Sequence, residues 1–395
     1  MIGEIPPESC DVVVVGAGIL GLATARELLI RHPRLTIAVL ERENELGTHQ
    51  TGHNSGVVHA GIYYAPGSLK ARLCTTGARD LVDYCEQHHI AHERCGKVIV
   101  ATTPGQIPAL DELERRGRAN GVQGLERLDS RGLEAIEPHA RGVAALHSPN
   151  TGIADFRAVA IAFAAEVREA GGTVTAGCAV HALEESSGGV ALAHERGHTR
   201  ARAAVVCAGA WSDRLAVAAG APADPRIVPF RGAYLRLKPE RRELVRGLIY
   251  PVPDPELPFL GVHLTRHVSG DVLIGPTALL SPLGASLRWP GTWRMARRFW
   301  RTGLSEMRYA ASRRALVRAA ARFVPDLTID DVTDGPSGVR AQALRRDGTL
   351  VDDFVFSRTG RALHVRNAPS PAATSSLAIA RMVADEAEAA FQLNR

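Results

Sequence analysis

Residues 11–41 constrain the fold of this chain more than any other segment. Residues 11–15 are an aspartate followed by four valines, a β-branched run that is typical of a strand buried on both faces of a parallel sheet. The stretch GAGILG follows at 16–21, then come the apolar periodicity of a helix at 22–30 and a second apolar strand at 35–40. The sequence therefore predicts one βαβ unit.

The three glycines of GAGILG have distinct steric roles. Gly16 permits the tight turn, Gly18 lets the backbone approach a pyrophosphate, and Gly21 allows the helix to pack closely on the strand. The helix N-terminus at Ile19 offers unpaired N–H groups and a dipole that both favour an anion. Glu41 lies twenty positions after Gly21, where a carboxylate accepts the hydroxyls of a ribose. The unit therefore predicts a dinucleotide site, and these residues alone leave both FAD and NAD open.

Composition narrows the class of protein. The chain has 395 residues, 45% hydrophobic and 23% charged, which suits one large domain or two joined domains and does not suit a disordered protein. The six cysteines form no C-x-x-C pair and no zinc-like pattern, so we predict reduced thiols, a cytoplasmic location and no metal site. The net charge of +5 comes without a block of one sign, which argues against nucleic-acid binding.

Elements of the nucleotide-binding kind recur in the middle and at the end of the chain. Buried strands are predicted at 173–175, 203–210 and 362–365, and a helix at 374–391. Because these elements are separated by long segments of other character, we expect a second domain inserted into the first in two pieces. The predicted nucleotide-binding domain consists of 1–85, 148–226 and 326–395, and the predicted substrate-binding domain consists of 86–147 and 227–325.

A histidine-rich loop carries a family resemblance. Residues 48–64, THQTGHNSGVVHAGIYY, resemble the L-2-hydroxyglutarate oxidase/dehydrogenase family, which are FAD enzymes of the D-amino-acid-oxidase superfamily. The similarity continues through residues 66–71, 95–97, 338–342 and 364–376. It implies an α/β and α+β fold, in which a Rossmann-like FAD-binding domain with a parallel sheet holds an inserted substrate domain with a mixed or antiparallel sheet. It also implies FAD-dependent oxidation of L-2-hydroxyglutarate to 2-oxoglutarate, with electrons passed to oxygen, quinone or another carrier.

The resemblance also assigns residues to the cofactor. The helix start at 371–376 is expected to point at the flavin pyrimidine, where a helix N-terminus stabilises the negative charge of reduced flavin. The full set of expected cofactor-binding residues is Gly16, Gly18, Ile19, Gly21, Glu41, Arg42, Thr51, His53, Asn54, Ser55, Gly56, Val57, Val180, Ala208, Gly209, His364, Pro371, Ala372, Ala373 and Thr374.

Oxidation of an alcohol needs a base for the hydroxyl proton, and histidine is suited to this role because its unperturbed pKa lies near neutrality. The candidates are His59, His263 and His364, with His59 preferred and His263 second. A flavin hydrogen-bond donor or a packed core imidazole is the alternative interpretation for each. His49 and His53 are expected to order the loop.

A dicarboxylate substrate needs cations, because burying its two charges is otherwise costly. Arg340 resembles the arginine that binds the substrate carboxylate in this superfamily, and a surface ion pair is its alternative role. For the second carboxylate the sequence offers four weaker candidates, Arg231, Lys70, Tyr250 and Arg266.

Residues 293–322 interleave arginines with aromatic side chains. Such a stretch suits peripheral contact with an anionic membrane, which would deliver electrons to a quinone. It equally suits helices of the substrate domain with a solvated basic face, and that second interpretation is the preferred one.

Three further functions compete with the one that the resemblance implies. Another enzyme of the superfamily would oxidise an amine, an amino acid or glycerol phosphate. A redox sensor would hold FAD without turnover. An NAD-dependent dehydrogenase would be colourless when purified.

Overall fold

The computed structural model describes residues 4–254, 260–281 and 284–393, and these form two large sheets with helices packed on them. The strands in this part of the chain are β1 (Ser9–Val15), β2 (Ile37–Leu40), β3 (Val57–Val58), β4 (His92–Glu93), β5 (Lys97–Ala101), β6 (Glu126–Leu128), β7 (Ala144–Ser148), β8 (Gly152–Ala154), β9 (Thr173–Thr175), β10 (Val180–Ser186), β11 (Gly189–His194), β12 (Gly197–Val206), β13 (Arg226–Leu237), β14 (Leu248–Pro251), β15 (His263–Arg266), β16 (Val272–Gly275), β17 (Leu279–Leu280), β18 (Val332–Leu344), β19 (Val355–Arg358) and β20 (Ala362–Asn367). The α-helices are α1 (Ile19–Arg31), α2 (Leu69–Gln87), α3 (Ile107–Ala119), α4 (Ser130–Ile136), α5 (Phe156–Glu169), α6 (Ser212–Ala218), α7 (Gly284–Leu287), α8 (Pro290–Arg298), α9 (Trp300–Ala311), α10 (Arg313–Ala320) and α11 (Ser376–Phe391).

The first sheet contains the predicted βαβ unit. Its strands run in the order β10-β11-β12-β1-β2-β9. The C-terminal half of β12 also pairs with β20, on the edge opposite to β1. The pairs β1·β12, β1·β2, β2·β9 and β12·β20 are parallel. Val12, Val13 and Val14 are fully buried, as a two-sided sheet requires. Helices α1, α5 and α11 cover one face with a continuous apolar core.

The second sheet is mixed and largely antiparallel, with the order β17-β13-β16-β15-β14-β5-β7-β6 and β18 added to β13. Only β14 and β5 pair in parallel. The first sheet has four parallel pairs at its centre and antiparallel pairs at its edges, and its junction with this mixed sheet confirms the predicted fold class. A third sheet of short strands, β3-β8-β4, links the histidine-rich loop to the start of α5.

One boundary of the predicted division does not follow the pairing of the strands. Strand β18 was assigned to the nucleotide-binding domain within 326–395, but it pairs with β13 along most of its length, from Arg226↔Leu344 to Leu237↔Val332. Residues 332–344 therefore belong to the second sheet. The segment 86–147, which has no clear periodicity in the sequence, contributes β5, β6 and β7 to the same sheet. The rest of the division stays a prediction.

The basic stretch forms three short helices, α8, α9 and α10. Helix α10 packs its apolar residues into the core of the second sheet, whereas α9 has no buried residue. Among the described residues, no helix combines the length and the apolar character that crossing a bilayer demands.

Candidate active site

Two neighbouring cavities occupy the region where the two sheets meet. One has a volume of about 570 Å³ and the other of about 780 Å³. Both are lined by Gln50, Val339, Ala368, Ala372 and Ala373, so the two volumes adjoin along these residues. Together they form one elongated site, as a large extended cofactor needs.

The smaller cavity lies at the carboxyl end of β1, where a ligand of a parallel sheet is expected. Gly16, Gly18 and Ile19 line it. Gly16 has φ +101°, a value that favours glycine, and a Cβ there would lie 2.6 Å from the Cys207 carbonyl oxygen. A Cβ on Gly21 would lie only 1.9 Å from the Gly16 carbonyl oxygen. Gly21 therefore packs helix against strand and, contrary to its assignment as a cofactor contact, does not line the cavity.

Glu41 is held at the edge of the smaller cavity by backbone donors. Its Oε2 accepts a hydrogen bond from the Ala17 N–H at 2.7 Å, and its Oε1 accepts one from the Glu43 N–H at 3.0 Å. These bonds fix the carboxylate where a ribose hydroxyl can donate to its remaining lone pairs. The Thr51 hydroxyl accepts a hydrogen bond from the Ile19 N–H at 3.0 Å, which brings the histidine-rich loop onto the N-terminus of α1.

The rest of the smaller cavity fits the adenosine half of a dinucleotide. Val180, Ala208 and Gly209 line it, as the resemblance implies. The Arg42 guanidinium stacks on the Trp211 ring, 3.9 Å from the ring centroid, so this cation lies over a flat aromatic surface. A glycine turn open to a helix N-terminus, a fixed carboxylate and an apolar slot are the features that FAD requires, and the residues present therefore fit it.

The larger cavity is lined by the second half of the histidine-rich loop and by the segment that precedes α11. Those residues include His53, Asn54, Ser55, Val57, Pro371, Ala372, Ala373 and Thr374, as the resemblance implies. The Thr374 hydroxyl accepts a hydrogen bond from the His59 N–H at 3.1 Å and donates to the Val57 carbonyl at 3.2 Å. These bonds tie the loop to the segment before α11.

His59 and His263 line the same cavity. His59 is partly exposed to the cavity but lies deep in the protein, so burial, followed by the charges of Lys97, His263 and Lys70, lowers its pKa well below the usual value. Its Nε2 lies 3.3 Å from the Ser370 hydroxyl, and its Nδ1 has no hydrogen-bond partner within the described ranges. Its neutral form therefore predominates at neutral pH.

His263 is more buried and has a defined tautomer. Its Nδ1 lies 2.8 Å from the Gly261 carbonyl oxygen, which can only accept, so Nδ1 carries the proton and Nε2 the lone pair. Burial lowers its pKa to about 4. Its ring packs on Tyr250 with a centroid distance of 4.2 Å, and burial raises the pKa of Tyr250 to about 12. Both rings are therefore neutral near pH 7.

Arg340 lines the same cavity as these histidines. It lies on β18, and its side chain is exposed to the cavity although protein surrounds it elsewhere. Burial lowers its pKa, while Asp352, Tyr64 and Tyr234 act in the opposite direction. A guanidinium in this setting keeps its charge and can bind a carboxylate through two parallel hydrogen bonds.

The structure does not place three of the four distal-carboxylate candidates in the cavity. Arg231 is exposed and lies outside the lining, because side chains alternate along β13 and it is the neighbours Phe230 and Gly232 that line the cavity. The Lys70 ammonium pairs with Asp352 at 2.6 Å. Arg266 pairs with Glu93 at 3.1 Å.

Two residues assigned to the cofactor line neither cavity. His364 is fully buried within β20, beside Thr359, and lines neither cavity. Because it lies in the interior of a paired strand, its role is packing. Gly56 also lines neither cavity. With φ +70° it supports the turn of the loop, and its carbonyl accepts a hydrogen bond from the Ala154 N–H at 2.8 Å.

Several lining residues were not predicted from the sequence. Gln50 ties the histidine-rich loop to β18, since its Oε1 accepts a hydrogen bond from the Ala341 N–H at 3.0 Å. Tyr234 lines the larger cavity from β13, and Arg301 and Arg322 line it from the basic helical stretch. Only Gln50 had a signal in the sequence, because it lies inside the motif at 48–64.

Comparison with known proteins agrees with this site. The model of the family described as FAD dependent oxidoreductase matches residues 11–386. A relative from Nematostella vectensis named L-2-hydroxyglutarate dehydrogenase, mitochondrial, is 48% identical, and the match covers 98% of this chain and 92% of that protein. An L-2-hydroxyglutarate dehydrogenase from Indibacter alkaliphilus is 42% identical, with 95% of this chain and 98% of that protein covered.

The solved structure of an L-alpha-glycerophosphate oxidase from Mycoplasma pneumoniae with FAD bound superposes with a TM-score of 0.79 at 21% identity, covering 98% of this chain and 95% of that one. A likeness at this level of identity concerns the fold. The family model, the close relatives and the fitted dinucleotide site agree, and FAD rather than NAD is the cofactor. This chain belongs to the FAD-dependent oxidoreductase family, within the group whose curated members are named L-2-hydroxyglutarate dehydrogenase.

Proposed function

We propose that the protein oxidises L-2-hydroxyglutarate to 2-oxoglutarate. One structural observation supports the proposal independently of the names of the relatives. Arg340, His59 and His263 line one cavity, and that cavity adjoins the dinucleotide site. A cation for a carboxylate and a neutral base for a hydroxyl proton are the two groups that oxidation of a 2-hydroxy acid requires.

In this proposal Arg340 binds the carboxylate next to the reacting carbon. Arg301 and Arg322, which line the same cavity, bind the second carboxylate in place of Arg231, Lys70 and Arg266, which do not line it. Both line the cavity, and no carboxylate of the described residues lies within 4.0 Å of either guanidinium. A cavity lined by three arginines favours a dicarboxylate over a monocarboxylate.

Bound FAD supplies the acceptor for the hydride that leaves C2. His59 takes the hydroxyl proton, because it is neutral at neutral pH and is more exposed to the cavity than His263. His263 and Tyr250 pack on each other, line the same cavity and shape the substrate site. Since the pKa values of both histidines are lowered, activity is expected to persist below pH 6.5, where an ordinary histidine base would be protonated.

A comparison of substrates tests this function. L-2-hydroxyglutarate should reduce the flavin under anaerobic conditions, and L-2-hydroxybutyrate, which lacks the second carboxylate, should do so about 100-fold less efficiently. In the double variant Arg301→Met, Arg322→Met the two substrates should become nearly equal. Faster reduction by glycine, a D-amino acid or glycerol 3-phosphate would refute the proposal in favour of another activity of the superfamily.

We further propose that α9 rests on the inner face of an anionic cell membrane, with a quinone as electron acceptor. Trp300, Leu304 and Met307 are 55%, 52% and 53% exposed, and their i, i+4, i+7 spacing places them on one stripe of the helix. Trp293 of α8 is 63% exposed. Several exposed arginines that do not line the cavity lie in the same helices without a carboxylate within 4.0 Å in the described ranges: Arg297, Arg298 and Arg308.

This surface suits a bilayer, because apolar side chains can enter the acyl region of the membrane and arginines can bind its anionic headgroups. Residues of α9 on another side, among them Thr302 and Ser305, line the larger cavity. A membrane under α9 therefore lies next to the cavity, which favours exchange of electrons with a lipid-soluble carrier.

Vesicle sedimentation tests the membrane contact. The protein should bind phosphatidylglycerol vesicles at low salt and dissociate at high salt. The triple variant Trp300→Ser, Leu304→Ser, Met307→Ser should lower the bound fraction at least about tenfold. A matched variant, Ile30→Ser with Ile161→Ser, removes exposed apolar groups elsewhere and should bind normally. No binding of the unmodified protein at low salt would contradict the proposal.

A further inference from the structure

Lys97 is a buried cation beside the active site that the mechanism above does not use. It begins β5 between β14 and β7, and only 2% of it is exposed. Within the described ranges no carboxylate lies within 4.0 Å of its ammonium group. A buried ammonium without an anionic partner is costly and therefore uncommon.

The partners of this ammonium are aromatic rings. Its Nζ lies 4.3 Å from the centroid of the Tyr250 ring and 5.4 Å from that of Tyr63. Tyr250 in turn packs on the ring of His263, with 4.2 Å between centroids, and both line the larger cavity. Lys97, Tyr250 and His263 therefore form one contiguous group that ends at the proposed substrate site.

We propose that Lys97 is a positioning residue: its ammonium lies over the Tyr250 ring, fixes that ring against His263 and places a positive charge in the wall of the cavity that holds the proposed base. This inference rests on the proposed function for its catalytic consequence. A base that is neutral when the substrate arrives can take the hydroxyl proton. A cation close to an imidazole disfavours the protonated, positively charged form of that ring.

The charged and titratable groups around these rings support that assignment. After burial, Lys97 makes the largest contribution to lowering the pKa of His59, ahead of His263 and Lys70. For His263, burial lowers the pKa most and the charge of Lys97 lowers it further, whereas the hydrogen bond to Gly261 raises it.

Lys97 itself is charged at neutral pH. Burial lowers its pKa to about 8, and the thiols of Cys74 and Cys95 oppose that shift. The ammonium is therefore present below about pH 8, in the range where a histidine base would otherwise begin to protonate.

The first test is the pH profile of anaerobic flavin reduction by L-2-hydroxyglutarate in Lys97→Met. Methionine keeps the length of the side chain and removes the charge. The acid limb of kcat/KM should move to higher pH by roughly one unit, as the loss of one nearby charge predicts. Lys238→Met, which removes a lysine outside the cavity lining, should leave the profile unchanged. Loss of rate with an unmoved acid limb would overturn the proposal, since that is what a purely structural lysine would give.

A second measurement does not depend on turnover. NMR titration of labelled imidazoles in the native holoenzyme, assigned with His59→Asn and His263→Asn, should show a second inflection near pH 8 as Lys97 loses its proton. In Lys97→Met that inflection should vanish and both imidazole pKa values should rise. Unchanged imidazole pKa values would refute the role of Lys97 even if the substrate is confirmed. A protein that L-2-hydroxyglutarate does not reduce, but whose imidazoles respond as expected, would refute the proposed function alone.

Discussion

Replacing Arg340 with methionine should lower kcat/KM for L-2-hydroxyglutarate by about 10³-fold, which corresponds to roughly 4 kcal/mol. Arg340 lies on β18 and lines the larger cavity together with the two histidines. Its removal would leave a substrate carboxylate buried without a cation, and that cost falls in the range measured when one partner of a buried charged pair is lost. Stopped-flow reduction of the flavin over a range of substrate concentrations measures the effect.

The neighbouring strand offers a matched control. Arg231 pairs with Val339 across β13 and β18, next to Arg340, but its side chain is exposed and outside the cavity. Arg231→Met should therefore retain nearly full activity. Arg340→Lys should recover only part of the loss, because an ammonium cannot form two parallel hydrogen bonds. Comparable losses in Arg231→Met and Arg340→Met would show that general charge, and not a specific clamp, attracts the substrate.

Gly18→Val should weaken FAD binding at least about 100-fold while leaving the protein folded. Gly18 precedes α1 with extended backbone, φ −75° and ψ 173°, a conformation that a β-branched residue readily adopts. A Cβ there meets only the Thr51 hydroxyl, at 3.4 Å, which is ordinary contact. The new side chain would instead occupy the smaller cavity, where the backbone must approach the pyrophosphate.

FAD retained after dialysis and the affinity of the apoprotein, followed by flavin fluorescence, measure this loss, and circular dichroism checks the fold. Gly105→Val is the matched control, because a Cβ at Gly105 has no neighbour within 4 Å and the residue lines neither cavity. A Gly18→Val protein that binds FAD normally would contradict the placement of the pyrophosphate.

The βαβ unit could be predicted because its determinants are local. The signal lies within one contiguous segment, which contains the buried valines, the glycine turn and Glu41. Strands β1 and β2 and helix α1 form in this segment, as predicted. The second sheet could not be predicted in the same way. Strand β18 pairs with β13, about a hundred residues earlier in the chain, and no local pattern at 332–344 identifies that partner.

The residues of the candidate site show the same difference between local and long-range determinants. Residues carried by a contiguous motif, such as Asn54, Ser55 and Thr374, line the expected cavity. Residues chosen for charge alone, such as Arg231 and Arg266, do not line the cavity. The alternation of side chains along β13 directs the Arg231 side chain away from it, and an ion pair with Glu93 holds Arg266 elsewhere. Arg301 and Arg322 reach the cavity only through tertiary packing, so the sequence did not distinguish them from the other arginines of 293–322.

An anaerobic titration tests the central claim most directly. The purified holoenzyme should lose its flavin absorbance as one equivalent of L-2-hydroxyglutarate is added per bound FAD, and one equivalent of 2-oxoglutarate should appear, because a hydride and a proton leave the substrate together. An unchanged flavin spectrum at excess L-2-hydroxyglutarate, with bleaching by an amine or by glycerol 3-phosphate, would contradict the account.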